Sequence, residues 1–242
     1  MGKKYTKIVW KIEELWEKYY KPSVIPDLIW NLDFLENYDS NKISKYYSEF
    51  KLVDNFDFGL SKRAVFSDGY GNYRGLQNSQ LQIIDNKPVY LFDNHNKILY
   101  PFLEIQKSFK NILDVVHIDA HPDDAEFQDK KINDLNFENV ADYIHQTRIS
   151  DFFDAISKTK TIGKIYRITH SDSFEFFVPP EKSYVLSLDI DIFGPEGDFV
   201  ELRDKVRAIA LAWASADAVC IAMSPGFIDQ EYAKEFINIF TK

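Results

Sequence analysis

The spacing of apolar residues divides the chain into two regions. From residue 87 onward, short apolar runs alternate with amphipathic stretches. The apolar runs predict strands over residues 88–93, 114–119, 163–169, 183–190 and 217–224. Helices are predicted over residues 101–112, about 138–158, 199–215 and the stretch EYAKEFINIF after Pro225. This alternation predicts an α/β fold in which a mainly parallel sheet is covered by helices on both faces.

Residues 1–85 follow a different pattern and are rich in aromatic side chains. Apolar residues at helical spacing predict a helix over residues 5–20, and short helices are predicted over residues 28–50. Residues 67–85 contain many Gly, Asn and Ser residues, so we expect a turn or hairpin there that leads into a strand.

Potential metal ligands follow three of the predicted strands. They are His95 after the first strand, Asp119, His121 and Asp123 at the end of the second, and Asp189 and Asp191 at the end of the fourth. Each cluster alone has an ordinary explanation, because polar residues after strands commonly form turns or helix caps. The carboxyl ends of parallel strands meet at one edge of a sheet, so we expect the three clusters to converge there.

The spacing of the second cluster favours a metal site over separate turns. Asp119, His121 and Asp123 are two residues apart, so an extended backbone would point all three in the same direction. Asp189 and Asp191 repeat this spacing after an apolar strand, where buried carboxylates need a cation. Oxygen and imidazole ligands without thiolates suit Mn²⁺ better than structural zinc, and there are enough of them for two ions.

Composition narrows the range of functions. A formal net charge of −9 argues against a nucleic-acid partner and suits a cationic substrate. No apolar run approaches the roughly 18 residues of a membrane span, and the first residues lack the apolar core of a signal peptide. Cys220 is the single cysteine, so a disulfide framework is excluded. We therefore expect a cytoplasmic protein without a membrane partner.

Two motifs resemble those of the arginase/agmatinase (ureohydrolase) superfamily. DAHPD over residues 119–123 resembles its DAHxD motif, and SLDIDIFGP over residues 187–195 resembles SxDxDxxDP, with Gly194 in place of the third Asp. The upstream DNHN stands where GGDHS is usual. The combination of DNH, HIDAH and LDID resembles more closely a divergent branch of the superfamily that includes the peptide arginases. The likeness covers about residues 87–228. It implies a single arginase-like domain over residues 1–242, with a metal-binding core over residues 86–242, an aromatic-rich N-terminal extension over residues 1–85 and a three-layer α/β/α architecture.

The resemblance also implies a ligand scheme and a reaction. Asp119 and Asp189 would bridge two Mn²⁺ ions. His95 and Asp123 would complete one shell, and His121 and Asp191 the other, which makes Asp123 a predicted catalytic residue as well as a ligand. The implied reaction hydrolyses the guanidinium C–N bond of an arginine side chain to ornithine and urea. Its expected substrate is an arginine-containing, ribosomally made precursor peptide, although the ligands alone do not distinguish this from free arginine.

The guanidinium-binding acid is the main departure from the superfamily. Ala222 stands about where arginases carry a Glu for this task. Asp229 and Glu231 are the substrate-binding candidates, although acids are also favoured in the first turn of a helix. Asp124 and Glu126 are further candidates.

Three other histidines lie near the predicted site. His145 is the candidate shuttle for the proton of the leaving amine, with a helix-surface histidine as the competing interpretation. His170 follows the third strand and lies near the same face. His117 lies within a strand, which favours a place in the core or in support of a ligand.

Two alternative functions use the same residues. HPDD over residues 121–124 matches the signature of zinc N-deacetylases that act on amino sugars, but it lies at mid-chain, no HxxH motif follows, and the SLDID motif has no part in that scheme. A non-catalytic protein stabilised by its metal is the other alternative. It predicts a closed coordination shell with no open position for water.

Overall fold

The computed structural model describes residues 50–67, 71–109, 112–125, 135–157 and 161–242, together with Lys11 and Glu14. The helix predicted over residues 5–20 lies outside these residues except for Lys11 and Glu14, which are helical. The short helices predicted over residues 28–50 also lie outside them, apart from Phe50, which begins a strand.

Nine strands are present among the described residues. They are β1 (Phe50–Leu52), β2 (Leu60–Ser67), β3 (Asn72–Leu76), β4 (Ser79–Ile84), β5 (Lys87–Phe92), β6 (Asp114–Ile118), β7 (Ile165–Ile168), β8 (Tyr184–Asp189) and β9 (Ala218–Ala222). Seven of them form one sheet in the order β1-β4-β5-β9-β8-β6-β7. The five strands from β5 to β7 are parallel, which confirms the prediction of a mainly parallel sheet.

Strand β1 pairs in parallel with β4, and the other two pairings are antiparallel. Strand β4 is antiparallel to β5, and the two are joined by Asp85 and Asn86, both with left-handed φ angles of 50° and 64°. Consecutive left-handed residues are the signature of a tight hairpin turn. Strands β2 and β3 form a separate two-stranded hairpin, so the hairpin expected near residues 67–85 is present and leads into β4.

Six α-helices lie among the described residues. They are α1 (Leu99–Phe109), α2 (Val140–Gln146), α3 (Phe152–Ser157), α4 (Ser171–Glu175), α5 (Leu202–Ser215) and α6 (Gln230–Thr241). The single helix predicted over residues 138–158 is wrong, because the chain breaks between α2 and α3. Asn96 donates hydrogen bonds to the carbonyls of Ile144 and Thr147, and Asp151 accepts one from the Arg148 amide, which holds the break in place.

Side chains of the sheet alternate between two hydrophobic cores. On β5, Val89 and Leu91 belong to one core, whereas Tyr90 and Phe92 belong to the other. Neighbouring residues of a strand point to opposite faces, so the cores lie on the two faces of the sheet. Helices α4, α5 and α6 contribute to the first core and α1, α2 and α3 to the second. This arrangement is compatible with three layers.

The sheet brings the predicted ligands to one edge. Strands β5, β9, β8 and β6 are consecutive in the sheet, and the ligand-bearing segments follow the carboxyl ends of β5, β6 and β8. Ligands of open α/β sheets bind at this edge. Among the described residues, no helix has the length and apolar character needed to cross a membrane.

Candidate metal centre

The first group of ligands surrounds one ring nitrogen of His95. Its Nδ1 lies 2.9 Å from Asp119 Oδ2, 3.1 Å from Asp123 Oδ2 and 3.1 Å from Asp189 Oδ2. The His95 Nδ1 and Asp119 Oδ2 atoms are buried and form no hydrogen bond among the described residues. Buried polar atoms are normally hydrogen-bonded, so these two atoms mark a place that could hold a cation.

The second group surrounds His121. Its Nδ1 lies 3.0 Å from Asp191 Oδ2 and 3.3 Å from Asp119 Oδ1. Asp119 thus directs one carboxylate oxygen to each imidazole. The ligand atoms of Asp119, His121 and Asp191 are close enough together to hold a metal ion, as are those of His95, His117 and Asp119.

The carboxylate oxygens lie close to the Nδ1 atom of each imidazole. The five contacts of the two Nδ1 atoms span 2.9 to 3.3 Å. These short distances are compatible with a bound metal ion.

Burial of these carboxylates in ionised form costs free energy unless a cation is nearby. Asp119 is fully buried, and Asp123, Asp189 and Asp191 are 7%, 3% and 1% exposed. Four ionised carboxylates carry four negative charges, which two divalent ions would balance. Burial opposes the charged forms strongly unless they are paired or bind metal.

Without a metal ion, several of these side chains have raised pKa values and hold protons. Burial and the charge of Asp119 raise the pKa of Asp123 to about 8, and burial with the same neighbour raises the pKa of Asp191 well above its usual value. Contacts with Asp119 and Asp191 raise the pKa of His121 to about 12. Burial opposes protonation of His95, but its three carboxylate contacts outweigh burial and raise its pKa. Metal ions must therefore displace protons.

The backbone around Asp123 is not extended, so the expected mechanism of convergence is wrong. Strand β6 ends at Ile118, the chain bends over residues 119–121, and Asp123 has a left-handed φ of 49°. The His121 amide donates to Asp119 Oδ1 at 2.7 Å, which stabilises the bend. Asp191 also lies beyond its strand, in a 3-10 helix spanning Ile190–Phe193.

The DNHN segment holds His95 through its neighbours. Asp93 accepts from the Asn94 amide and lies 3.8 Å from the buried Lys97 ammonium. The Asn94 side chain donates to the carbonyl of Val65 in β2, and the Asn96 side chain is bound to the end of α2. His95 itself begins a 3-10 helix, His95–Ile98. The loop is thereby fixed to the hairpin on one side and to a helix on the other.

Several supporting residues were not singled out by the sequence. Ser187 contacts His95, the Ser224 hydroxyl donates to Asp189, and Glu196 accepts from the Nε2 of His121. A carboxylate on the far nitrogen orients a ligating imidazole and raises its basicity. Ser224 follows β9, next to β8 in the sheet, and this position could have indicated it; Glu196 gives no such signal.

His117 lies inside β6, as its sequence position predicts. Burial lowers its pKa to about 3, so the ring is neutral at physiological pH. Its Nε2 lies 3.0 Å from the His121 carbonyl and 3.5 Å from Asp119 Oδ2. Its edge packs against Phe153, with ring centroids 4.6 Å apart.

A cavity of about 360 Å³ opens onto the ligands. It is lined by His95, His121, Pro122, Asp123, Asp124, Ala125, Ile149, Ser150, Asp189, Asp191, Ser224 and Phe227. This volume lies within the range of small-ligand sites. Asp124 is the acid on its wall that does not contact either imidazole, and it lies 3.4 Å from the Arg167 Nε.

The other predicted site residues lie elsewhere. Asp229 caps α6 by accepting from the Tyr232 amide, and exposed Glu231 pairs with Lys234. Neither lines the cavity over the ligands, whereas His145 is exposed and lines an adjoining cavity. His170 caps the short helix α4.

Ala222 ends β9 and is buried, and Glu126 lies outside the described residues.

Comparisons of the chain with protein-family models, with curated proteins and with solved structures gave no match. The geometry of the cluster is therefore the basis on which a function can be argued.

Proposed function

We propose that this protein is a dinuclear manganese hydrolase that cleaves the guanidinium C–N bond of an arginine side chain. The products would be ornithine and urea, and the substrate an arginine in a ribosomally made precursor peptide. The division of the Asp119 oxygens between His95 and His121 carries the proposal, because it supports two adjacent sites that share a carboxylate. The motif likeness to the arginases and the three-layer arrangement support the same function.

The chain supplies a ligand set for each ion. One ion would be held by His95, Asp119, Asp123 and Asp189, and the other by His121 with Asp119 and Asp191. The bridging role expected of Asp189 stays a prediction, because its Oδ2 lies near His95 and its Oδ1 accepts from the Asp191 amide. When bound, two divalent ions lower the pKa of a shared water and stabilise developing negative charge. The Ser224 hydroxyl orients Asp189, and Glu196 orients His121.

An accessible cavity supports hydrolysis over a purely structural role for the metal. A metal-stabilised binding protein requires a closed coordination shell. Here His95, Asp123 and Asp189 all line a cavity of about 360 Å³, so a substrate can reach the ligands. Asp124, on the same wall, is our candidate for the acid that pairs with the substrate guanidinium. Its carboxylate lies 3.4 Å from the Arg167 Nε, so the substrate guanidinium would share or replace this contact.

A second cavity supports a peptide as the substrate. It has a volume of about 660 Å³ and shares Ile149 and Ser150 with the cavity over the ligands. Its walls are the end of β2 and the segment between α2 and α3. A free amino acid has no chain on either side of it, whereas a peptide needs space for its flanking residues. His145 lines this second cavity and remains our candidate for the proton shuttle.

Urea formation tests the proposed reaction. The Mn²⁺-loaded protein would be incubated with an arginine-containing peptide, free arginine and agmatine, followed by urea assay and peptide mass spectrometry. We expect urea and a matching conversion of arginine to ornithine in the peptide. Absence of urea with all three would refute the proposal, and acetate release from N-acetyl sugars would favour the deacetylase instead.

Asp119→Asn is the matched inactive variant. It keeps the side-chain shape but removes the charge shared by the two imidazoles, so we expect at least about 100-fold less urea. Asp114→Asn is the control, because Asp114 lies at the opposite end of the same strand and accepts a hydrogen bond from the Lys164 amide. Its urea production should remain close to that of the unmodified protein.

A further inference from the structure

A chain of hydrogen-bonding groups extends behind His95, away from the carboxylates. Its Nε2 lies 2.8 Å from the Ser187 hydroxyl, which lies 3.4 Å from His117 Nδ1. His117 Nε2 lies in turn 3.0 Å from the backbone carbonyl of His121. Ser187 and His117 are completely buried, and His95 is 1% exposed. The chain thus links one imidazole ligand to the backbone of the other.

Aromatic rings seal this chain on one side. Phe152 and Phe153, both fully buried, belong to α3. The centroid of Phe152 lies 5.1 Å from that of His95, and the centroid of Phe153 lies 4.6 Å from that of His117. A side chain that loses its partner in this position therefore has little access to a replacement water. The loss of any one of these hydrogen bonds leaves a buried polar group unpaired, which costs free energy.

The His121 carbonyl at the end of this series of hydrogen bonds determines which group donates in each of them. A carbonyl oxygen only accepts, so His117 Nε2 carries a proton and donates it. A neutral imidazole then has a bare Nδ1, which accepts from the Ser187 hydroxyl. With its proton directed to His117, the Ser187 oxygen accepts from His95 Nε2. His95 is left with Nδ1 as its metal-binding atom, and this is the nitrogen that faces the three carboxylates.

We propose that Ser187 and His117 are positioning residues that hold His95 in the tautomer required for metal binding. Hydrogen bonds to the far nitrogen of a ligating histidine set its tautomer and ring orientation. The hydrogen-bonded series His95, Ser187, His117 and the His121 carbonyl, here called the relay, also connects His95 to the backbone of His121. It would therefore keep the two imidazole ligands of the proposed centre at a fixed distance from each other. The inference rests on the proposed metal centre but not on the identity of the substrate.

The same geometry argues against His117 as a metal ligand. His95, His117 and Asp119 are close enough together to hold an ion, and His117 Nε2 lies 3.5 Å from Asp119 Oδ2. However, that nitrogen is nearer to the His121 carbonyl, at 3.0 Å, and a nitrogen that donates a proton has no lone pair for a metal. The other ring nitrogen faces Ser187.

Three variants test the relay through metal binding rather than activity. Ser187→Ala removes the hydroxyl, His117→Leu removes both ring nitrogens, and His117→Gln retains one donor and one acceptor. Ser79→Ala is the control, because Ser79 is a buried serine on β4 that lies outside both cavity walls. Circular dichroism would verify that each variant is folded before Mn²⁺ titration by calorimetry.

We expect Ser187→Ala and His117→Leu to weaken the binding of one Mn²⁺ ion about 10- to 100-fold, with His117→Gln recovering much of the loss. In the Zn²⁺-loaded unmodified protein, nitrogen-15 NMR should show a proton on His95 Nε2 and metal on Nδ1. This pattern should be lost or mixed in Ser187→Ala. If the protein formed no urea, the proposed reaction would be refuted, whereas these binding measurements would still test the positioning role of Ser187 and His117.

Two results would overturn the inference. The first is a folded Ser187→Ala protein whose Mn²⁺ affinities stay within twofold and whose His95 resonances are unchanged. The second is loss of one whole ion in both His117 variants while Ser187→Ala binds normally, because this would identify His117 as a direct ligand. If Ser187→Ala does not fold, the comparison of His117→Gln with His117→Leu decides the same question.

Discussion

Asp119 is the residue on which both halves of the candidate centre depend, because its two oxygens face different imidazoles. Its burial opposes ionisation, yet the contacts with His121 and His95 prevail and lower its pKa below the usual range. Asp123 and Asp191 behave in the opposite way and hold protons in the metal-free site. The metal-free protein and the metal-bound protein therefore differ in proton content.

This difference predicts that Mn²⁺ affinity rises with pH. Asp123, with a pKa of about 8, is protonated at pH 6 and must lose that proton to bind metal. Each displaced proton raises the apparent affinity by up to about tenfold per pH unit. We expect the rise between pH 6 and 8 to become less steep above pH 8, where Asp123 is already ionised. Calorimetry in buffers of different ionisation enthalpy would count the protons released, and release of none would contradict this account.

The stability of the metal-free protein should have the opposite pH dependence. A carboxyl whose folded-state pKa is raised binds more protons when folded than when unfolded between about pH 4 and 8. The free energy of unfolding should therefore fall across that window, by up to about 1.4 kcal/mol per pH unit for each such group. The raised pKa of His121 acts in the same direction above about pH 6.5.

Asp124→Asn tests the proposed guanidinium acid. Loss of this charge should raise the Michaelis constant for the peptide about 10-fold or more while two Mn²⁺ ions remain bound, since Asp124 contacts neither imidazole. Glu231→Gln is the matched control, because Glu231 is an exposed acid paired with Lys234 and outside the cavity. Equal kinetic effects of the two changes, or a lower metal content in Asp124→Asn, would exclude this role.

At the scale of residues, the sequence identified the candidate ligands but few of the side chains that support them. Five of the six candidate ligands recur at short spacings within two motifs and His95 lies in the DNHN segment, and the structure brings all six together at one sheet edge. Ser187 and Glu196 act through contacts with residues 92 and 75 positions away, which spacing along the chain does not reveal.

At the scale of elements, strand β2 and the segment between α2 and α3 both line the adjoining cavity. Asn94 fastens the ligand loop to β2 through the Val65 carbonyl, and Phe66 packs against Phe227 with ring centroids 5.2 Å apart. The hairpin is therefore attached to two loops that carry the metal centre. We expect it to guide the substrate chain toward the ligands.

Ser67→Trp tests this role of the hairpin. Ser67 is exposed and lines the adjoining cavity, so an indole there should obstruct the chain on either side of the arginine. We expect at least about 10-fold lower kcat/KM for the peptide, with little change for agmatine. Lys62→Trp, at an exposed position of the same strand outside the cavity wall, provides the control. Equal losses for peptide and agmatine would show that the cavity does not select peptides.

The parallel strands were predictable because each is a short apolar run bounded by polar residues. The prediction failed where a helix depended on distant partners. The break between α2 and α3 is held by Asn96, which lies 48 positions before Ile144, and local helical periodicity carries no information about it. The left-handed φ of Asp123 was likewise not predicted from the spacing of residues 119–123.

At the scale of the whole molecule, the candidate metal centre draws on strands that are not all adjacent in the sheet. Ligands that follow β5, β6 and β8 meet across the sheet, and β9 lies between β5 and β8. Unfolding of any one of these strands would separate the ligands. Metal binding should therefore stabilise the core as one unit.

This coupling predicts a large thermal shift. A ligand that binds only the folded state adds about 2.7 kcal/mol at 100 times its dissociation constant, which corresponds to roughly 5–10 °C in Tm for a chain of this size. Differential scanning calorimetry with Mn²⁺ and with chelator would measure it. Asp119→Asn should lose most of the shift, whereas Asp114→Asn should retain it. A shift below about 1 °C in the unmodified protein would show that these ligands do not bind Mn²⁺.

Two residues of the centre, Asp123 and Ser224, have left-handed φ angles of 49° and 42°. Non-glycine residues in this region cost about 1–3 kcal/mol each, and glycine would relieve the cost. Glycine at either position would also remove a metal ligand or the hydroxyl that orients Asp189. Selection of thermostable variants of the metal-free chain would therefore favour changes that disable it, so any such programme should select for heat resistance and activity together.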